Sequence, residues 1–271
     1  MKQSSEPILR APIIAIVIFE LAALFVRAYF EVRLIDGGES KAFAQDLSYL
    51  VVPPILAVLM YPIFRKHRPF LRSLLRPRDL TLRIVVLSVL LGITLRVTYW
   101  GGLISLISFG ALRNTDPDAV VGPIISFGCP ATGVIALGFL VVSLLIPVIE
   151  EVINRGLIFH ALIHHGTIPA IVVSSLLFAL VHDPQAIALA FAFGAILCVQ
   201  FLNYKTLWAT MITHASYNGM TVFDWKCMSA KWNPQETTPN TIGIGLIAAA
   251  LALVGTALSI VLVIRKRHRG T

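Results

Sequence analysis

Residues 133 to 160 read GVIALGFLVVSLLIPVIEEVINRGLIFH, an apolar run broken by two adjacent carboxylates and a guanidinium: Glu150, Glu151 and Arg155. A charge at bilayer depth costs about 2.5–3.5 kcal/mol on insertion scales, so such a cluster must face protein or water and be paired. Glu151 and Arg155 are one helical turn apart and can pair on a shared face. Glu150 is turned about 100° away from Glu151, which leaves it free for chemistry. Pro147 removes a backbone hydrogen bond one turn earlier and is expected to kink the helix beside these groups, admitting water.

Two later segments supply matching polar groups. FALVHDP places Phe178 and His182 on one helix face, and THASYNG does the same for His214 and Asn218. A carboxylate held out of water beside an imidazole can share a proton with it, which is what activating a water as nucleophile requires. An imidazole N–H and an amide N–H four residues apart can supply two donors to a developing oxyanion. Taken singly these residues have plainer uses: Glu151/Arg155 as a structural clamp, His182 as an interfacial histidine, His214 and Asn218 as interhelical hydrogen bonders. Arg96, a further charge inside an apolar run, is read as structural, and His160, His164 and His165 as solvating an interface.

The elements that must position these residues are membrane helices. Of 271 residues, 57% are hydrophobic and 13% charged, too apolar for a surface that faces water throughout. Apolar stretches fall near 11–30, 47–64, 84–108, 133–164, 168–182, 185–203, 206–223 and 241–264. The expected fold is therefore all-α, a single polytopic transmembrane bundle of about eight helices over 1–271, with the motif-bearing core at about 133–223. Only Asp183, Pro184 and Gln185 separate the fifth and sixth runs, which forces an antiparallel hairpin. The first run, which includes Glu20, is read as a retained span rather than a signal peptide.

The net charge of +8 is concentrated in two places, Arg65 to Arg83 and Arg265 to Arg269. With both N- and C-termini cytoplasmic, these segments fall inside, whereas Arg113, Asp116, Asp118 and the Asp224–Glu236 stretch fall outside, as the positive-inside rule requires. The cations are not interleaved with aromatics, so nucleic-acid binding is excluded; they set orientation and touch anionic lipid. Cys129, Cys198 and Cys227 are odd in number and widely spaced, and indicate neither a disulfide framework nor a thiolate zinc site.

The three motifs EEVINR, FALVH and HASYN match in order and spacing the E-E-x-x-x-R, F-x-x-x-H and H-x-x-x-N motifs of a known family. Over about 150–218 the sequence resembles the type II CAAX prenyl endopeptidases and their prokaryotic relatives, the CAAX-protease and bacteriocin-processing (Abi) membrane proteins. The resemblance implies that Glu150 and His182 activate the attacking water, that His214 and Asn218 form the oxyanion hole, and that Glu151 and Arg155 organise the site. It implies a metal-independent intramembrane endopeptidase with no cofactor, acting on a protein or peptide with a membrane-proximal tail. The compact chain looks like a prokaryotic plasma-membrane protein, for which a tethered peptide or tagged protein tail is the expected substrate rather than a prenylated one. Three alternatives remain at this stage: a zinc-dependent membrane protease, although H-E-x-x-H is absent; a proton-coupled transporter; and a non-catalytic immunity-type membrane protein. Oligomeric state is not legible.

Overall fold

The computed structural model describes residues 11–111, 122–233 and 241–264. Arg113, Asp116, Asp118, Glu236 and the basic tail from Arg265 lie outside them. Nine helices and one two-stranded ribbon make up the described residues. Helix α1 covers Ile13–Asp36, α2 Lys41–Leu59, α3 Tyr61–Leu74 and α4 Leu82–Ala111. The motif helix α5 covers Thr132–His165, followed by α6 (Thr167–Leu180), α7 (Ile187–Tyr204), α8 (Leu207–Cys227) and α9 (Thr241–Ile264). Six of them are long and apolar enough to cross a bilayer, so the chain is a multi-pass integral membrane protein with the expected all-α bundle.

Two boundaries differ from the sequence reading. The expected second run, 47–64, straddles two helices. Ser40 caps the start of α2 by accepting a hydrogen bond from the Phe43 N–H at 3.4 Å, and α2 ends at Leu59 before a separate helix begins at Tyr61. That helix, α3, is amphipathic: Ile63, His67, Leu71 and Leu74 face inward while its cations face out. Burial, reinforced by the neighbouring Lys66 cation, pushes His67 below the usual histidine range, so it packs as a neutral ring.

The second difference concerns Asp224, expected in an external loop. It lies within α8 and is buried, where Arg96 of α4 donates to both its oxygens at 2.7 Å and to the Tyr217 hydroxyl at 3.2 Å. A buried arginine would be prohibitive alone; the carboxylate on the facing helix is what permits it. The same two helices approach closely, since a Cβ on Gly92 would lie 2.6 Å from the Thr213 carbonyl oxygen. Helices associate in lipid through such backbone proximity and interhelical hydrogen bonds, not through a hydrophobic driving force. Helices α6 and α7 form the expected hairpin, with Gly194 seated against Ser175 and Phe178.

The reading of the cysteines is corrected. Cys129, just before α5, and Cys227, the last residue of α8, form a disulfide, and buried Cys198 is free. Strand β1 (Gly122–Phe127) pairs antiparallel with β2 (Met228–Asn233) beside it. The covalent link and the ribbon thus join the ends of the two helices that carry most of the motif residues. An odd cysteine count and a separation of 98 residues hid the pair from a spacing argument.

Candidate active site

Helix α5 is wound wide on both sides of its carboxylates. Phe139–Leu145 and Val152–Phe159 are π-helical and bracket an α-helical Ile146–Glu151. π-Segments inside helices are rare and concentrate at functional sites. Glu151 and Arg155 are fully buried and bonded, Nη1 to Oε1, at 2.8 Å. The second terminal nitrogen, Nη2, donates to the Gly194 carbonyl of α7 at 3.0 Å, and the guanidinium lies 4.7 Å from the centre of the Phe178 ring of α6. One arginine therefore ties three helices to the carboxylate it neutralises.

His214 enters from α8 and meets both glutamates. Its Nδ1 lies 2.9 Å from Glu151 Oε1, and its Nε2 lies 3.5 Å from Glu150 Oε2. An ionised carboxylate only accepts, so Nδ1 carries the proton in the first contact. The second needs a proton on either the imidazole or Glu150. Unlike Glu151, Glu150 keeps 23% of its side chain exposed. The Phe193 and Phe178 rings meet the imidazole edge to face, at 5.1 and 5.8 Å, and hold its plane.

His182 and Asn218 reach this cluster indirectly. His182, in the turn after α6, bonds through Nδ1 to the Phe178 carbonyl at 2.8 Å. A carbonyl accepts only, so Nδ1–H is the donor and Nε2 of a neutral His182 is the proton-accepting nitrogen. Its ring lies 4.5 Å from that of Phe178, so this one phenylalanine contacts His182, His214 and Arg155. Asn218 donates through Nδ2 to the Val142 carbonyl of α5 at 3.0 Å, and its amide carries a second N–H.

The Val142 carbonyl is open for a reason written in the sequence. In the π register the N–H of residue i bonds the carbonyl of i−5, as Ile146 does to Val141. The donor due to Val142 is residue 147, a proline with no N–H. Pro147 therefore acts as a missing donor, and Asn218 fills the gap.

Two residues not singled out in the sequence come near. Glu20, on the buried face of α1 with Ile16 and Ala23, and Tyr49 of α2 both lie within electrostatic reach of Glu150. The signal for Glu20 was available, since a carboxylate inside an apolar run marks a functional region by default.

Residues 132–220 match the family model described as type II CAAX prenyl endopeptidase, Rce1-like. Across these residues the chain is similar to that family. No curated protein matches it, and neither does any solved structure. The matched region starts at the first residue of α5 and ends two residues beyond Asn218, so it takes in all seven motif residues and leaves α1 to α4 and α9 outside. It supports a membrane protease and thereby a protein substrate.

Proposed function

We propose that the protein is a metal-independent intramembrane endopeptidase that hydrolyses a peptide bond near the C-terminus or membrane-anchored segment of its substrate. The observation that carries this reading is the meeting of Glu150, Glu151 and His214 from two helices, with only Glu150 partly open. Glu150, assisted by the proton-accepting Nε2 of His182, takes a proton from water as its oxygen attacks the carbonyl carbon. The oxyanion is met by His214 Nε2–H and the second N–H of Asn218; Glu151, bonded to Nδ1, supports the imidazolium this donor requires. As the tetrahedral intermediate collapses, the carbon–nitrogen bond breaks and the proton held by Glu150 passes to the leaving amine. Glu151 and Arg155 position these groups and do not exchange protons with substrate.

The test is a comparison of protein termini in membrane and secreted fractions from cells carrying the wild type or Glu150→Gln. New termini near membrane-anchored tails are expected only with the wild type. Identical termini from equally abundant, folded proteins would end the protease reading. Cleavage of a substrate found this way should survive exhaustive chelation; loss restored by zinc would assign the water to a metal instead.

The orientation follows from the same proposal, with α3 on the cytoplasmic side of a prokaryotic plasma membrane. Disulfides persist in oxidising compartments, and Cys129–Cys227 lies at the end of the bundle opposite α3. A membrane-impermeant thiol reagent applied to intact cells should label this pair only after reduction. Labelling that requires cell lysis would invert the topology.

A further inference from the structure

Helix α3 is joined at one end to the span α2 through Met60 and at the other to the span α4, so both its ends lie at one membrane face. Tyr61, Leu80 and Leu82 at those ends are exposed, as expected of anchors at headgroup depth. Between them Arg65, Lys66, Arg68, Arg72, Arg76 and Arg78 are all exposed. None has an acidic partner among the described residues, and Asp79 is the single acid from Tyr61 to Arg83.

The opposite face of α3 is packed on the helix that carries the glutamates. A Cβ on Gly156 would lie 2.9 Å from Leu71 Cδ2, so α3 packs directly on the second π-segment of α5. The Phe70 ring lies 4.7 Å from that of His160, and Ile63 and Leu71 share one buried cluster with Ile146, Ile153 and Leu157. The Thr206 hydroxyl, before α8, donates to the Leu74 carbonyl at 3.1 Å.

We infer that the outer face of α3 is a docking surface for the anionic phospholipid headgroups of its leaflet, and that lipid bound there braces α5 beside the glutamates. A cationic strip next to spanning helices fits a negatively charged leaflet, and arginine pairs with phosphate in bidentate geometry. The inner packing gives that contact a direct route to residues 152–160. This inference stands apart from the hydrolase reading, since no part of it requires catalysis.

The test uses the full chain in nanodiscs of phosphatidylcholine alone or of equal parts phosphatidylcholine and phosphatidylglycerol. Boundary-lipid selection is read with spin-labelled lipids, and amide hydrogen exchange is followed over residues 152–160. The wild type should select phosphatidylglycerol and exchange at least about fivefold more slowly there in the anionic discs, with raised salt weakening both effects. A variant with Arg65, Lys66, Arg68 and Arg72 all changed to Gln should lose both. One in which the three arginines become Lys should keep them, which separates charge from folding defects. Selection retained in the folded Gln variant would overturn the docking surface. Exchange indifferent to phosphatidylglycerol in the wild type would overturn the bracing of α5.

Discussion

Glu150→Gln and Glu151→Gln are expected to behave as opposites although the residues are adjacent. Glu150 is partly exposed and among the described residues makes one ionic contact, to His214 at 3.5 Å. Its amide isostere should leave the unfolding midpoint in detergent close to the wild-type value while lowering turnover by about 10²–10⁴-fold, the usual worth of a general base. Glu151 is wholly buried and bonded to both Arg155 and His214. Neutralising it strands the Arg155 cation away from water, which destabilises a protein by about 3–5 kcal/mol. Initial rates on a reporter bearing a cleavable membrane-tethered tail, set beside thermal unfolding in the same detergent, read the two effects separately. A Glu150→Gln protein that still cleaves, or a Glu151→Gln protein as stable as wild type, would reverse the roles given to the pair.

The second large effect lies away from the chemistry, at Arg96 and Asp224. Arg96→Met alone leaves Asp224 buried with Trp100 Nε1–H as its remaining donor, and about 3–5 kcal/mol of stability should be lost. Adding Asp224→Leu should restore most of it, because a buried ion pair exchanged for apolar groups is often neutral or better. The rings of Tyr99, Trp100 and Tyr217 that surround the guanidinium suit a methionine side chain. Chemical or thermal unfolding of both single variants and the double variant completes the cycle. If the double variant is no more stable than the singles, the pair contributes net stability and does more than offset its own desolvation.

The sequence made part of this architecture legible for a definite physical reason. Charges inside apolar runs are expensive, so Glu150, Glu151 and Arg155 stood out as a cluster, and the four-residue spacing of Glu151 and Arg155 named one pairing, whereas Arg96 was read only as structural. Their remaining partners lie far along the chain. Nothing local links Arg96 to Asp224, or His214 to Glu151, and Asp224 read as loop because it and Lys226 are the charges that close the apolar run 206–223. The disulfide was hidden by the free third cysteine, Cys198, which made the count odd. The start of α2 was obscured because its first turns are polar and rely on the Ser40 cap instead of hydropathy. Local winding was least legible: Pro147 pointed to an irregular helix, but not to which carbonyl would be vacant.

That vacancy depends on how tightly α5 is wound. With the π register, Pro147 leaves Val142 without a donor; with an α register the empty acceptor would be Ser143, about 100° further round and about 1.5 Å further along. Asn218 would then have to swing to a new partner or let go. The amide of one helix is in this sense geared to the pitch of another, and any event that tightens α5 by a single residue before the glutamates shifts a donor on α8 with it.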